Sequence, residues 1–330
     1  MKFFRNGDSG KLECLVCGHH CQLGPGQRGI CGVRQNTGSE IVCLTAGRIT
    51  CIHPDPMEKK PLFHFLPGEK VLSVGSWGCN MNCPWCQNWE ISQNYPMDSA
   101  AHVTEPWELI EITEREKVPA LGFTYNEPTV ALEYMIETLI LAKKRSIKTI
   151  LVTNGYFSSE ATQALIPLLD GVNIDLKFFQ TGKYQKYTRG KLELVKQNIS
   201  QLWDAGVWVE LTSLIIPKFN DDKVEWKNAA QWLKSISPSI PWHFTRFHPS
   251  YKMSDGYPTP PALLGELRTL AMKEGLDYVY SGNTVPGFTH TICPDCKKEL
   301  IHRDGYKIIS HGFSGICGGC GKNIPGVWKI

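Results

Sequence analysis

Between about residue 70 and residue 282, short apolar runs alternate with segments in which apolar residues recur every three or four positions. The apolar runs predict buried β-strands. They are Val71–Trp77, Ala120–Thr124, Lys148–Thr153, Gly171–Leu176, Val207–Ile216, Trp242–Phe247 and Asp277–Tyr280. Such alternation of strand and helix indicates an α/β fold with a parallel sheet. The pattern alone fits both a partial barrel and an open, doubly wound sheet.

The intervening segments show the period of amphipathic helices. In Thr129–Arg145, apolar side chains from Leu132 onward recur at i, i+3, i+4, i+7 and i+8, and Val224–Leu233 and Leu263–Met272 are similar. Before this region, Ile41–Leu44 and Ile49–Ile52 flank a Gly-containing turn and predict a β-hairpin.

Composition narrows the class of protein. The 330 residues predict two or three domains, which we place at residues 1–69, 70–282 and 283–330. A net charge of +3 argues against a nucleic-acid partner. No apolar run is long enough for a transmembrane helix, and the first residues lack the apolar core of a signal peptide, so we expect a cytoplasmic protein without membrane association.

The chain has 13 cysteines, which is unusual because disulfides are rare in the cytoplasm and clustered cysteines there usually bind metal. They form three groups. The groups are Cys14, Cys17, Cys21 and Cys31; Cys79, Cys83 and Cys86; and Cys293, Cys296, Cys317 and Cys320. The remaining two, Cys43 and Cys51, are predicted to be small buried hydrophobic residues.

The C-terminal group has the spacing of a structural zinc site. Two C-x2-C pairs, Cys293/Cys296 and Cys317/Cys320, can supply four thiolates in tetrahedral geometry. We therefore predict a zinc ribbon, with a rubredoxin-like iron site as the alternative because the same ligands suit both metals.

The middle group has three cysteines, in the pattern C-x3-C-x2-C, directly after the first predicted strand. Three thiolates on a [4Fe–4S] cluster leave one iron open to another ligand. Polar residues follow several later strands, where a parallel barrel collects its chemistry on one face. They are Asn126 and Glu127, Thr153 and Asn154, Asp175 and Lys177, and His248.

The N-terminal group is ambiguous. Its spacing matches no ferredoxin pattern, so its four thiolates predict either zinc or an auxiliary iron–sulfur cluster. His19 and His20 are substitute ligands. The run Gly24–Gly29 matches G-x-G-x-x-G, but no strand precedes it, so a dinucleotide site is rejected. The other singled-out histidines are predicted to be structural: His53, His64, His243, His290 and His311.

Taken together, these motifs resemble the radical S-adenosylmethionine (SAM) superfamily. An aromatic residue precedes the third cysteine of C-x3-C-x2-C. Further matching stretches are Asp55–Pro61, Cys86–Trp89, Thr124–Pro128, Thr153–Tyr156, Asn173–Lys177, Phe247–Pro249 and Ile324–Trp328. They resemble the radical SAM enzyme of the AmmeMemoRadiSam system, a family similar to pyruvate formate-lyase activating enzymes.

The resemblance implies a partial (βα)6 barrel of radical SAM type in which Cys79, Cys83 and Cys86 hold the [4Fe–4S] cluster. Reductive cleavage of SAM would give a 5′-deoxyadenosyl radical that abstracts hydrogen from an unidentified substrate. The cofactor-binding positions it implies are Trp85, Asn126, Glu127, Thr153, Asn154, Asp175, Lys177 and His248. It also implies a flavodoxin- or ferredoxin-type electron donor, and AMMECR-like and Memo-like system partners.

The chain departs from the family pattern at two points. Tyr125-Asn126-Glu127 stands where most of the superfamily has Gly-Gly-Glu, and Thr212 aligns with an arginine of the activating enzymes. Both departures argue against the interpretation of the chain as a strict glycyl-radical activase, an enzyme that would act on a partner protein. That alternative nevertheless stays open. A non-catalytic metal-binding scaffold would explain the outer cysteines but not an open three-cysteine site beside Glu127.

Overall fold

A computed structural model describes residues 2–93, 103–284, 287–310 and 313–329, apart from the side chain of Ser310. At the N-terminus, a three-stranded antiparallel sheet precedes a two-stranded one. The first contains β1 (Phe4–Asn6), β2 (Leu12–Cys14) and β3 (Gln22–Leu23), and the second contains β4 (Arg34–Asn36) and β5 (Ile41–Cys43). These small sheets position the N-terminal cysteines.

The centre of the protein is an eight-stranded, mostly parallel sheet. Its strands are β6 (Cys51–Pro56), β7 (Lys70–Gly75), β8 (Ala120–Phe123), β9 (Lys148–Thr153), β10 (Gly171–Asp175), β11 (Trp208–Ile215), β12 (Trp242–Arg246) and β13 (Val279–Gly282). Only β6 is antiparallel to its neighbour. The strands lie side by side in chain order, so the winding direction never reverses, and the doubly wound alternative is wrong.

Helices connect the parallel strands and cover the sheet. They are α1 (Trp89–Ser92), α2 (Pro106–Arg115), α3 (Leu132–Lys144), α4 (Ser159–Leu165), α5 (Thr181–Thr188), α6 (Leu192–Asp204), α7 (Lys223–Ile236) and α8 (Pro261–Lys273). Short 3-10 turns occupy Asp8–Gly10, Met57–Lys59, Pro128–Ala131, Ile166–Leu168 and Tyr251–Met253. On α7, Trp226 packs its ring 5.8 Å from both Trp242 and Phe244 of β12. In the described part of the chain, no helix is long and apolar enough to cross a bilayer.

The predicted hairpin is wrong. Ile41–Cys43 pairs with Arg34–Asn36, whereas Cys51–Pro56 pairs with β7 at the edge of the large sheet. The second strand lies in the predicted N-terminal region but belongs to the central sheet. Cys43 and Cys51, predicted to be buried, are both partly exposed.

Two buried arginines attach the terminal regions to the central part of the protein. Arg34 donates to both carboxylate oxygens of Glu133 on α3, at 2.7 and 2.6 Å. In the C-terminal unit, residues 287–329, Arg303 pairs with Glu58 and both side chains are fully buried. That unit contains β14 (Thr291–Ile292), β15 (Glu299–Asp304) and β16 (Lys307–Ser310).

Two of the histidines predicted to be structural, His64 and His243, are buried, and His64 joins the sheet to the C-terminal unit. His64 Nδ1 lies 2.9 Å from the carbonyl of Pro325, and its Nε2 lies 2.6 Å from the Tyr280 hydroxyl. A neutral ring satisfies both contacts, with Nδ1 donating and Nε2 accepting. His243 Nε2 lies 2.6 Å from Glu210 on the neighbouring strand, but His243 also lines the cavity at the carboxyl ends of the parallel strands, so its role is not purely structural. By contrast, His53 is exposed, and His311 lies outside the described residues.

Acid is therefore expected to weaken the fold through His64. Burial lowers the pKa of its imidazole from 6.5 to about 4. Between these values the unfolded chain binds more protons, so the free energy of unfolding falls as pH falls, by up to about 3 kcal/mol. Urea denaturation from pH 6.5 to 4.5 should show this slope, and His64→Gln should flatten it. The exposed-site control His53→Gln should keep the wild-type slope; equal slopes in all three proteins would contradict the expectation.

Candidate active site

A cavity of about 770 Å³ opens at the carboxyl ends of the parallel strands, where barrel-type folds carry their chemistry. Most of the residues singled out from the sequence line it together. They are Cys79, Trp85, Cys83, Cys86, Asn126, Glu127, Thr153, Asn154, Asp175, Lys177 and Thr212. The volume lies in the range of small-molecule and cofactor sites. His248, however, is exposed and is not among the residues that line this cavity.

The cysteine loop that follows β7 depends on Gly78 and on Asn126. Gly78 has a φ of 93°, and a Cβ there would lie 2.7 Å from Val33, so only glycine fits. Asn126 accepts a hydrogen bond from the backbone of Ser76 at 3.0 Å and donates to the carbonyl of Gly78 at 3.0 Å. Asn126 thus positions the loop with its own side-chain amide.

The departure from Gly-Gly-Glu has a structural counterpart at Tyr125. This residue has a φ of 73°, in the left-handed region that normally favours glycine. Its hydroxyl donates to Asp55, and its carbonyl accepts from Asn88 at 2.9 Å. The backbone conformation usual for glycine is therefore retained, and the larger side chain is held by contacts of its own.

Glu127 is buried and connects the ends of β8 and β9. Its Oε1 accepts from the hydroxyls of Thr129 and Thr153, both at 2.7 Å. Its Oε2 accepts from the backbone of Asn154 at 2.8 Å. Burial raises the pKa of this carboxyl, although the hydrogen bonds oppose the rise. Since an ionised carboxylate has about four acceptor positions, Oε2 retains capacity for another donor.

Asn154 links Glu127 to the cysteine loop. Its side-chain nitrogen donates to Asn80 at 2.7 Å and lies 3.9 Å from the sulfur of Cys79. Asn80, between Cys79 and Cys83, was not singled out from the sequence. Its own Nδ2 is buried and has no hydrogen-bond partner among the described residues. A donor buried without a partner needs an acceptor, and a cluster sulfide or a ligand oxygen beside the cysteines would supply one.

The cavity thiols lie beside a fixed cation. Burial raises the pKa of Cys79, Cys83 and Cys86, and the pKa of Cys83 rises to about 11. The positive charge of Lys177 opposes this rise at Cys83 and Cys86. Burial also disfavours the Lys177 ammonium, yet Asp175, 3.0 Å away, and Cys83 raise its pKa above the usual value. Iron binding must therefore displace thiol protons, and Lys177 favours the thiolates that result.

The remaining wall of the cavity combines Trp85, which was predicted from the sequence, with residues that sequence reasoning did not assign. Trp85 packs edge-on against Phe178, with ring centroids 5.6 Å apart. Lys59, Lys60 and Tyr306 also line the cavity, and Tyr306 comes from the C-terminal unit. The two lysines lie inside the matched stretch Asp55–Pro61, so a signal for them was present. Tyr306 lies in the two-residue turn between β15 and β16, and nothing in the sequence indicated that it would reach the cavity.

The C-terminal cysteines converge as predicted. The sulfurs of Cys293 and Cys320 lie 3.7 Å apart, and those of Cys296 and Cys317 lie 3.5 Å apart. All four lie within 4.8 Å of one another. Four thiolates at this separation form a site for a single metal ion, because tetrahedral bonds of about 2.3 Å place sulfurs about 3.8 Å apart.

The N-terminal cysteines lie on strands and loops that contact one another, since the backbone N–H of Cys14 donates to the carbonyl of Cys21 at 3.0 Å. Burial raises the pKa of Cys31 to about 12 and raises that of Cys17, and the other thiols of the group add to the rise at Cys17. The histidines considered as substitute ligands contact other groups. His19 Nε2 lies 2.7 Å from the Asn80 carbonyl, and His20 Nδ1 lies 3.1 Å from Glu13.

Comparison with known proteins identifies the class. Residues 75–227 match the model of the radical SAM superfamily. An uncharacterized protein of Methanocaldococcus jannaschii is 38% identical over 304 residues, covering 91% of this chain and 90% of the relative. A putative glycyl-radical enzyme activating enzyme of the same organism is 28% identical over 165 residues, covering 48% of this chain and 66% of that protein. The chain belongs to the radical SAM superfamily.

Solved structures agree on the fold. A radical SAM methyltransferase from Sphaerobacter thermophilus has a TM-score of 0.52 at 13% identity, covering 67% of this chain and 69% of that chain. Streptococcus suis SuiB bound to S-adenosylmethionine has a TM-score of 0.51 at 12% identity, covering 69% and 53%. The protein is thus a radical SAM enzyme that resembles activating enzymes, and its substrate is unidentified.

Proposed function

We propose that Cys79, Cys83 and Cys86 hold a [4Fe–4S] cluster and that the same cavity binds SAM. When bound and reduced, this pair supplies a 5′-deoxyadenosyl radical that abstracts hydrogen from a substrate. The observation that carries the proposal is that the three thiols, Glu127 and Lys177 line one cavity. Three thiolates leave one iron free to chelate SAM.

The chain's own residues have distinct tasks in this proposal. Glu127 accepts a hydrogen bond from the SAM ammonium at its remaining Oε2 position, a charge-assisted contact. Lys177 offsets the negative charge of the thiolates. Thr153 and Asn154 contact the ribose or carboxylate, and Trp85 presents its backbone near the adenine. The walls exclude water from the reacting carbon. His248 is not included, because it lies outside the cavity.

The finer architecture and context belong to the same proposal. A sheet wound in one direction with crossovers of one hand places its helices on one face, which supports a partial (βα)6 barrel. The four C-terminal thiols support a zinc ribbon. Membership of the AmmeMemoRadiSam system, a cytoplasmic location, AMMECR-like and Memo-like partners and a flavodoxin- or ferredoxin-type donor are proposed from the sequence motifs alone.

The test is cleavage of SAM by anaerobically reconstituted protein with dithionite. We expect 5′-deoxyadenosine from the wild type and none above background from Cys83→Ala, since two remaining thiolates leave the cluster without its third protein ligand. Cys43→Ala, which removes a thiol outside the cavity, serves as the matched control and should keep the wild-type rate. Full activity in Cys83→Ala would refute the cluster assignment.

A glycyl-radical activase is the second candidate, favoured by the similarity to a putative activating enzyme. We prefer a small substrate because Tyr306 of the C-terminal unit lines the cavity and its hydroxyl donates to Asn283 at 2.9 Å. The contact between Tyr306 and Asn283 reduces the space in the cavity that the backbone of a partner protein would need. Electron paramagnetic resonance decides between them: a glycyl radical formed on a co-expressed partner protein would favour the activase.

A further inference from the structure

The three cysteine groups fall into two classes of sulfur spacing. Among the described residues, the four C-terminal sulfurs all lie within 4.8 Å of one another, but no three sulfurs of the N-terminal group do. The three cavity cysteines are likewise not within that distance of one another. A single tetrahedral ion needs thiolates about 3.8 Å apart. A cluster carries each thiolate on a different iron and so requires wider spacing.

The N-terminal site lies apart from the reaction cavity. None of Cys14, Cys17, Cys21 and Cys31 is among the described residues that line it. A metal centre held by these cysteines is therefore not placed to ligate SAM or a substrate inside the cavity. Its four thiolates also form a complete ligand set, which leaves no iron open for chelation. Of the two roles available to an auxiliary cluster, substrate ligation is therefore disfavoured and electron transfer is favoured.

The N-terminal site does touch the loop that carries the cavity cysteines. A Cβ added to Gly78 would lie 3.3 Å from the carbonyl oxygen of Cys31. On the other side, His19, two residues after Cys17, lies 2.7 Å from the carbonyl of Asn80. Gly78 and Asn80 flank Cys79 in the sequence. The ligand loops of the two sites are thus in direct contact, which provides a short path for an electron.

We propose that Cys14, Cys17, Cys21 and Cys31 hold a second iron–sulfur cluster that passes electrons to the cluster in the cavity. One electron leaves a reduced flavodoxin- or ferredoxin-type donor, which is oxidised, and reduces the second cluster. The second cluster then returns to its oxidised state as it reduces the cavity cluster. The relay role rests on the proposed function, whereas the metal site itself does not.

Metal content of the wild-type protein, purified without oxygen and reconstituted with iron and sulfide, is the first test. We expect about one zinc per chain and at least two iron atoms beyond the four of the cavity cluster. After reduction, spin quantitation by electron paramagnetic resonance should detect two clusters. Four iron and two zinc atoms per chain would overturn the proposal, and this measurement does not depend on any variant folding.

Changing all four N-terminal cysteines to serine is the second test. The variant should lose at least two iron atoms per chain and keep its zinc and the cavity cluster. The matched control is Cys43→Ser with Cys51→Ser, which removes thiols from outside all three groups and should leave the iron content unchanged. Loss of zinc with iron unchanged in the four-serine variant would overturn the proposal.

The relay is tested by changing the electron donor. With reduced flavodoxin, formation of 5′-deoxyadenosine by the four-serine variant should fall roughly ten-fold or more, whereas with dithionite, a small reductant that reaches the cavity directly, it should stay within about two-fold. Equal rates with flavodoxin would overturn the relay. If no form of the protein cleaves SAM while the iron difference persists, the proposed function fails and the second metal site stands.

Discussion

Replacing Arg303 by methionine is expected to lower the free energy of unfolding by about 3–5 kcal/mol, because it leaves Glu58 as a buried, unpaired charge. Both side chains have no solvent exposure. The guanidinium also donates to the carbonyl of Phe63 at 2.8 Å and to the hydroxyl of Thr291 at 2.8 Å. One residue therefore holds the C-terminal unit, a segment before β7 and a buried carboxylate together.

Anaerobic urea denaturation measures this effect. Arg145→Met is the matched control: it removes an arginine paired with Glu114 at 3.2 Å on the exposed surface. Such pairs contribute about 0–1 kcal/mol. Adding Glu58→Leu to Arg303→Met should recover part of the loss, because no charge is then left unpaired. Similar losses in Arg303→Met and Arg145→Met would show that the buried pair does not join the units.

Glu127→Gln is expected to weaken SAM binding about 10- to 100-fold, the size of a lost charge-assisted hydrogen bond of about 1.5–3 kcal/mol. The amide has one oxygen in place of two, so either Thr153 or the backbone of Asn154 then faces a donor. The substitution also removes the negative charge that attracts the SAM ammonium. The first effect disturbs the hydrogen bonds that position the side chain, and the second weakens its contact with SAM.

Isothermal titration calorimetry with SAM on the reconstituted protein checks the expected loss of affinity. Glu111→Gln changes an exposed carboxylate on α2 by the same chemistry and should bind SAM as the wild type does. Iron content must also be equal in both variants, which separates loss of SAM binding from loss of the cluster. Unchanged affinity in Glu127→Gln would remove Glu127 from the proposed cofactor site.

Sequence patterns located the central strands well, because each is a short apolar run buried by its neighbours. Lys148–Thr153 has the predicted bounds. Each of the other predicted strands begins and ends within two residues of the corresponding observed strand. The failed hairpin had a different cause. Cys51–Pro56 pairs with Lys70–Gly75, and neither its composition nor the Gly-containing turn before it indicates that partner.

The candidate site was predictable where residue type and spacing carry the chemistry. Three thiols within eight residues and a carboxylate directly after a strand are visible without coordinates. Contacts between distant segments are not. Asn126 holding Gly78, and His19 meeting Asn80, depend on how loops from separate elements pack. His248 follows a strand as the others do, yet its side chain faces solvent.

The first strand of the large sheet has a consequence for self-association. β6 lies at an edge, and two of its six residues, Pro54 and Pro56, have no backbone N–H to donate. An edge with missing donors is a poor template for a strand from another molecule. A second copy of the protein would therefore form fewer backbone hydrogen bonds if it extended the sheet on this side. The edge thus resists the strand-to-strand aggregation to which exposed sheets are prone.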